Sequence, residues 1–299
     1  MKSVVIFSLG YHGRAAFRVL RRHPDAWNIL GFVDNSPQKQ GGQFGGFGVY
    51  SPSSLCSIDF DFVVLAGRNI GEIRNQLVSE LRIPQEKIML MSRQELKPDP
   101  AALAKREQAV CGILQALLPV LSKNEIPHWI CASGLLGLMR GQALAEMSDV
   151  DISVSQVDMA KAVDVIRQAA LGYEISVTHH TSACRCWKKG DIHQIGIRSH
   201  CDISLEEPAI VDLHATSLDG RYGYMDANGI YLCIPGEHFR GFDLVEYSGM
   251  QLPVPRQVDV YLEHLYGPDW KKPAGQWAGH HRAAVISADI LKAPAVSAD

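Results

Sequence analysis

Hydrophobic positions in the first third of the chain fall into short apolar runs separated by stretches of helical spacing. Residues 4–9 form one such run, as a parallel strand buried on both faces requires. The turn Gly10-Tyr11-His12-Gly13 follows, and residues 14–22 then place Ala15, Phe17, Val19 and Leu20 on one helical stripe. Further strands are predicted over 29–33, ending at Asp34, over 60–66 with Val63, Val64 and Leu65 at the centre, and over 88–91. Residues 70–81 read as helix. This alternation implies a doubly wound parallel sheet, a Rossmann-like α/β domain over residues 1–96.

The pattern changes after Lys97-Pro98-Asp99-Pro100, where two prolines break either kind of element. Val110, Ile113, Leu114, Leu117, Leu118 and Leu121 recur at helical spacing, with Pro119 expected to kink or end the helix. Residues 149–154 then read as strand and 159–171 as amphipathic helix. Strands follow over 173–177, 183–188, 192–197 and 209–213. Asp219-Gly220 and Asn228-Gly229 mark hairpin turns. A final helix is predicted over 253–266, with a Trp-bearing loop behind it, where core packing is the safer reading of Tyr266 and Trp270. The second domain, 104–282, is therefore α+β. Residues 283–299 lack turn chemistry and a partner face, and are expected to be a disordered tail.

The densest candidate chemistry lies in residues 126–155. An apolar segment ends at Ser133-Gly134, beside a helix start whose free N–H groups suit a phosphate. Arg140 follows, with a planar fork suited to the same ligand. The stretch closes on Asp149-Val150-Asp151. On a strand both carboxylates share a face roughly 7 Å apart, where they repel by about 2 kcal/mol at an effective dielectric of about 20. A divalent cation turns that repulsion into attraction. A third acid, Asp212, lies in another apolar run, with His214 on its face if that run is a strand.

The Ser133–Gly141 stretch SGLLGLMRG and the following SDVDIS resemble the LicD family, which includes fukutin-like phosphotransferases. Val254-Pro255, Tyr261-Leu262, Tyr266-Gly267 and Asp269-Trp270 are similar to that family's closing segment, so the resemblance spans residues 104–275. It implies a nucleotidyltransferase fold. It also implies metal-dependent transfer of a phosphorylated small alcohol, such as phosphocholine or a polyol phosphate. The implied donor is CDP-linked and the implied acceptor a cell-surface glycan or lipid-linked sugar. In that reading Asp149, Asp151 and Asp212 hold Mg²⁺ or Mn²⁺, with Asp212 alternatively acting as the base. Ser133, Gly134 and Arg140 hold phosphates. Two alternatives stay open: nucleotidyl transfer to a sugar or other small molecule, and a decayed nucleotide-binding scaffold, which the thin acidic cluster would suit.

Gly10, Gly13 and Asp34 occupy the positions of a dinucleotide fold, although the spacing is G-x-x-G. They either contact a nucleotide or only turn the chain. ILGFVDNSP and GGQFGGFGVYSP resemble the Rossmann-like domain at the front of sugar acyltransferases and other sugar-modifying enzymes. His179, His180, Cys184, Cys186, His193, His200 and Cys201 are zinc-ligand types, but they lack C-x-x-C spacing, and thiols in a sheet are the plainer reading.

Composition narrows the class. With 299 residues, 46% hydrophobic and 20% charged, and a net charge of −3, the chain suits a two-domain globular protein with no nucleic-acid partner. No apolar run reaches the roughly 18–20 residues that cross a bilayer. The first residues read as a strand rather than a signal peptide. Seven cysteines, an odd number without framework spacing, suit a reducing cytoplasm. An oligomer is compatible with all of this.

Overall fold

The structure is a computed structural model describing residues 1–67, 70–92, 94–203, 206–227, 229–272 and 284–287. The chain divides into two compact units: Met1–Ala102 with Cys201–Glu207, and Leu103–His200 with Pro208–Asp299. The architecture is mixed α/β, as the hydrophobic pattern indicates.

The first unit contains β1 (Lys2–Phe7), α1 (Tyr11–Arg21), β2 (Trp27–Val33), β3 (Gln43–Phe44), β4 (Phe47–Tyr50), β5 (Phe62–Leu65), α2 (Ile70–Asn75) and β6 (Ile88–Leu90). Its sheet runs β3-β4-β2-β1-β5-β6, and every neighbouring pair is parallel except β3 with β4. The alternation of β1 explains why its sequence is apolar throughout. Val4 and Ile6 join Phe17, Phe32 and Val64 on one face, while Val5 and Phe7 join Val33, Leu55 and Leu77 on the other. The helix expected over 70–81 is α-helical only to Asn75 and opens into π geometry over Gln76–Glu80.

The second unit begins within α3 (Pro100–Lys123). It continues with β7 (His128–Cys131), α4 (Ala132–Met139), β8 (Val150–Ser155), α5 (Met159–Ala169), β9 (Glu174–His179), β10 (Ile192–Arg198) and β11 (Ile210–Leu218). Next come β12 (Tyr222–Ala227), β13 (Ile230–Pro235), β14 (Phe242–Tyr247), β15 (Met250–Pro255), α6 (Val258–Tyr266) and β16 (Val285–Ile286). Strand β11 pairs in parallel with β8 and antiparallel with β10 and β12, and β8 pairs antiparallel with β7. The buried stripe of α3 (Ile113, Leu114, Leu117) and that of α5 (Met159, Ala162, Ile166) form one core with Ile152, Ile195, Ile197 and Leu213 of the sheet.

Four local expectations change. Pro119 does not end α3, which runs on to Lys123; so near the C-terminus its missing N–H costs a single ladder bond. Residues 183–188 are bends and coil, not strand. The helix expected from 253 starts at Val258, because residues 250–255 pair with β14. Val285–Ile286 pairs with β13, whereas the tail expected over 283–299 lies outside the described residues apart from 284–287, as does Asn228 of the second hairpin turn. Trp270 is buried in the core. No helix among the described residues is long and apolar enough to cross a membrane.

Candidate active site

The alternation of four adjacent strands divides the second unit's sheet into two chemically different faces. Val150, Ile152 and Val154 of β8 enter the core with Val211, Leu213 and Ala215 of β11, and with Ile195 and Ile197 of β10. The intervening residues are therefore placed on the opposite face: Asp151 and Ser153 from β8, Asp212, His214 and Thr216 from β11, Gln194, Gly196 and Arg198 from β10, and Ser176 and Thr178 from β9. An ordinary two-layer protein would solvate such a face. Here Asp212, His214, Ser153 and Thr216 are all buried.

Register places the two acids side by side, Asp151 opposite Asp212 on parallel strands. Asp149 lies one residue ahead of β8 rather than within it, and accepts a hydrogen bond from Ser148 Oγ at 2.8 Å. His214 Nε2 donates to Asp151 Oδ1 at 2.9 Å. Ser153 and Thr216 exchange a hydroxyl hydrogen bond beneath them. Asp212 Oδ1 is buried without a hydrogen-bond partner.

The carboxylates perturb one another as their crowding requires. Burial first, then the Asp151 and Asp149 charges, push Asp212 up to about 6 against the opposing Gln194 hydrogen bond and His214 charge. Burial and the Asp151 charge likewise raise Asp149. Burial pulls His214 down, but the hydrogen bond to Asp151 and the surrounding carboxylates outweigh it and raise its pKa. Clusters of this kind concentrate at sites that do chemistry.

The Ser133-Gly134 corner is brought to the same place. Cys131 ends β7 opposite Asp151, Ala132 turns the chain with φ +48°, and α4 starts at once. A Cβ on Gly134 would lie 3.3 Å from Val150 Cγ1 and 3.7 Å from the Asp151 backbone N, so the helix start lies directly against the start of β8. Arg140 is not brought there. It caps the far end of α4, roughly 10 Å along the axis, and its guanidinium donates to the carbonyls of Trp270 and Lys272. As the side chains stand, Arg140 fastens the C-terminal segment rather than a phosphate.

A clamp invisible in the sequence fixes the loop that leads into Asp149. Buried Arg106 of α3 donates to the carbonyls of Ala145 (3.0 Å) and Ser148 (2.6 Å). Its neighbour Glu107 accepts from the Ala145 N–H (2.8 Å) and from the Tyr247 hydroxyl, which in turn accepts from the Leu144 N–H.

The donor set fits a divalent cation in chemistry. Two hard carboxylates are neighbours across the register and one of their oxygens lacks a partner. The three-acid ligand set expected of Asp149, Asp151 and Asp212 is not assembled as the side chains stand, since no group of three His, Cys, Asp or Glu side chains among the described residues could hold a metal. Asp149 is turned to Ser148 and Asp151 to His214. Nor do the zinc-ligand types gather into such a group among the described residues: Cys184 lies in coil and Cys186 in a bend, His180 stacks on Trp187 at 4.4 Å, and His193 Nε2 donates to the Asp226 carbonyl.

In the first unit, Gly10 precedes α1, and Gly13 is pressed so closely on the Ser8 carbonyl that a Cβ would lie 1.8 Å from it. Asp34 is 5% exposed and braces the turn. Its Oδ2 accepts from the Leu9 N–H (2.7 Å) and Lys39 Nζ (3.1 Å), and its Oδ1 accepts from the Ser36 N–H (2.8 Å). Burial alone would raise the Asp34 pKa, but these donors outweigh it and lower it. The carboxylate expected to meet a ribose is thus engaged by its own loop.

The comparisons with known proteins bear mainly on the first unit. Residues 1–89 match the C2185-like N-terminal family model. That is not a LicD family, so the LicD/fukutin resemblance is overturned, and with it go the CDP-linked donor and glycan acceptor that it implied. The expected likeness to the front domain of sugar-modifying enzymes gives way to the same family. No curated protein sequence matches the chain. Among solved structures, the lincomycin-bound lincosamide antibiotic adenylyltransferase LnuA is 14% identical, covering 48% of this chain and 77% of that one with a TM-score of 0.32. The antibiotic-resistance factor ANT(2'')-Ia is 12% identical, covering 58% and 78%, with a TM-score of 0.33. UDP-D-quinovosamine 4-dehydrogenase from Vibrio fischeri is 15% identical, covering 35% and 84%, with a TM-score of 0.24. All three TM-scores lie below the level at which a shared fold supports inference.

Proposed function

We propose that the second unit transfers a nucleotidyl group from a nucleoside triphosphate to a hydroxyl of a small-molecule acceptor. The observation that carries the reading is the direct opposition of Asp151 and Asp212 on parallel strands, with the α4 N-terminus laid against the start of β8. Asp151 and Asp212, with Asp149 after a side-chain rotation, would hold Mg²⁺ or Mn²⁺, which neutralises charge on the phosphates and aligns them. Backbone N–H groups of the α4 start at Ser133 and Gly134 would hold the phosphate tail.

The acceptor oxygen attacks the α-phosphorus, so a new P–O bond forms. The bond from that phosphorus to the bridging oxygen breaks, and its electron pair leaves with pyrophosphate. The hydroxyl proton leaves to water, the Asp212 carboxylate being held by the cation in this reading. His214 holds Asp151 in place through its hydrogen bond.

The test is Mn²⁺ electron paramagnetic resonance with each of the four ribonucleoside triphosphates. Wild type should sequester Mn²⁺ with at least one of them, and Asp151→Asn and Asp212→Asn should each weaken that binding tenfold or more. Equal sequestration by all three proteins would remove the site from this face.

A further inference from the structure

The glycine-rich stretch 41–50 of the first unit ends at Tyr50, and Tyr50 borders a second candidate site. It is the last residue of β4, which pairs in parallel with β2. Glycines on both strands leave bare backbone where its ring lies. A Cβ on Gly31 would lie 3.0 Å from Tyr50 Cε2, and a Cβ on Gly48 would lie 2.5 Å from the Tyr50 hydroxyl and 2.7 Å from Cζ. The ring is therefore seated over the two glycines, and a side chain at either would displace it. Tyr50 is nevertheless 43% exposed, so a ring fitted to backbone on one side is open on the other.

An irregularity in β2 shapes the same place. Val4 pairs with Ile29 and Val5 with Gly31, so Leu30 is an extra residue in the ladder. Bulges of this kind re-aim side chains and are frequent beside sites. Here Leu30 is half-buried and lines a cavity of about 530 Å³ together with Tyr50, Ser54, Ser57, Ile58 and Asp59. That volume lies within the range of small-molecule sites.

The lining has a one-sided chemistry. Leu30 and Ile58 offer apolar contact, and Ser54 and Ser57 offer hydroxyls. Ser54 Oγ is bonded to Ser51 Oγ at 3.2 Å. The Asp59 carboxylate and the hydroxyls of Tyr50 and Ser57 have no hydrogen bond or ion pair among the described residues. Asp59 is the single charged residue of the lining, with no lysine, arginine or histidine beside it. An anionic ligand is therefore disfavoured. A cation is attracted by the carboxylate, its N–H groups find hydroxyl acceptors, and an open aromatic face adds cation–π attraction. Two aliphatic side chains suit a hydrocarbon chain behind the charge.

We propose that this cavity binds a small aliphatic amine, its ammonium held by Asp59 and the Tyr50 ring and its methylenes lying along Leu30 and Ile58. The site stands apart from the nucleotidyl-transfer reading, because every residue in it belongs to the first unit.

The experiment is calorimetric titration of the full chain with putrescine, with its neutral counterpart butanediol and with its anionic counterpart succinate. Variants are Asp59→Asn, Tyr50→Leu and Gly48→Ala, each checked for fold by circular dichroism. Asp25→Asn, at an exposed acid outside the cavity, is the control. Wild type should bind putrescine at least tenfold more tightly than butanediol or succinate. Asp59→Asn should weaken putrescine tenfold or more, while Asp25→Asn stays within twofold of wild type. Tyr50→Leu and Gly48→Ala should each weaken it threefold or more, the second because its new methyl shifts the ring and leaves Asp59 in place. Equal putrescine binding by wild type and Asp59→Asn overturns the site. Equal loss in Asp59→Asn and Asp25→Asn also overturns it, since that is charge attraction without a cavity. Failure of wild type to bind putrescine at millimolar concentration, or butanediol binding as tightly, overturns it as well.

Discussion

Gly13→Ala gives the sharpest test of how the first unit holds its turn between β1 and α1. In a solvent-facing helix this change would stabilise by about 1 kcal/mol through helix propensity. Here the new Cβ would lie 1.8 Å from the Ser8 carbonyl oxygen and 2.9 Å from its carbonyl carbon. Both atoms are backbone, so no rotamer change relieves the overlap. Ser8 already has φ +80°, and it is pinned on both sides: its N–H donates to Val33 at 2.6 Å, and the next N–H donates to Asp34 at 2.7 Å. Overpacking costs about 1–3 kcal/mol, and loosening two backbone hydrogen bonds about 1 kcal/mol each. Set against the propensity gain, the net loss is about 3 kcal/mol. For a unit of this size that lowers its melting temperature by roughly 12–24 °C. The assay is hydrogen exchange by mass spectrometry on the full chain, because peptides from residues 1–102 report on the first unit separately from the second. Gly71→Ala in α2 is the control, since nothing lies within 4 Å of its new methyl. Protection of β1 peptides within about 1 kcal/mol of wild type in Gly13→Ala would refute the reasoning, as that would place the loss below the overpacking range.

Other perturbations separate structural from chemical roles. Arg140→Ala should cost about 2 kcal/mol through its lost carbonyl partners while leaving Mn²⁺–triphosphate affinity within twofold of wild type; a tenfold loss of affinity in a folded variant would return Arg140 to the phosphates. His128 is buried, and burial outweighs its Ile126 hydrogen bond to hold its pKa below 6.5. The unfolded chain therefore takes up a proton below that pH while the folded chain does not, so this residue's contribution to stability is lost as pH falls from neutrality through 6.5. Urea titrations at pH 7.5 and 5.5 should show a smaller drop for His128→Gln than for wild type, and an equal drop would show that the ring titrates freely in the fold.

The first unit was largely legible because its strands are buried on both faces, which leaves continuous runs such as residues 4–7 that few other structures produce. The site was legible in part. Asp151 and Asp212 stood out as acids in apolar runs, and the Ser133-Gly134 corner as a helix start. Partnerships made by distant residues were not visible. Nothing near Arg140 in the sequence announces Trp270 and Lys272, and nothing near Arg106 announces the loop before Asp149. The polar alternation Gln194, Gly196, Arg198 was on view, yet it was readable only as an ordinary half-exposed strand until register placed it beside Asp212. The LicD resemblance failed for a related reason. Short Gly-Leu-rich and Asp-x-Asp stretches are what any helix packed against a strand edge beside paired acids would use, so they report local geometry more strongly than descent. The excursion of Cys201–Glu207 into the first unit likewise left no trace in composition or spacing.

The most direct test of nucleotidyl transfer uses a small-molecule extract, the four ribonucleoside triphosphates and Mg²⁺, followed by mass spectrometry. The account predicts an acceptor heavier by one nucleoside monophosphate, with pyrophosphate released in equal amount, and neither product with Asp151→Asn or Asp212→Asn. Products that persist undiminished in both variants, or triphosphate consumption that yields inorganic phosphate without an adduct, would contradict it.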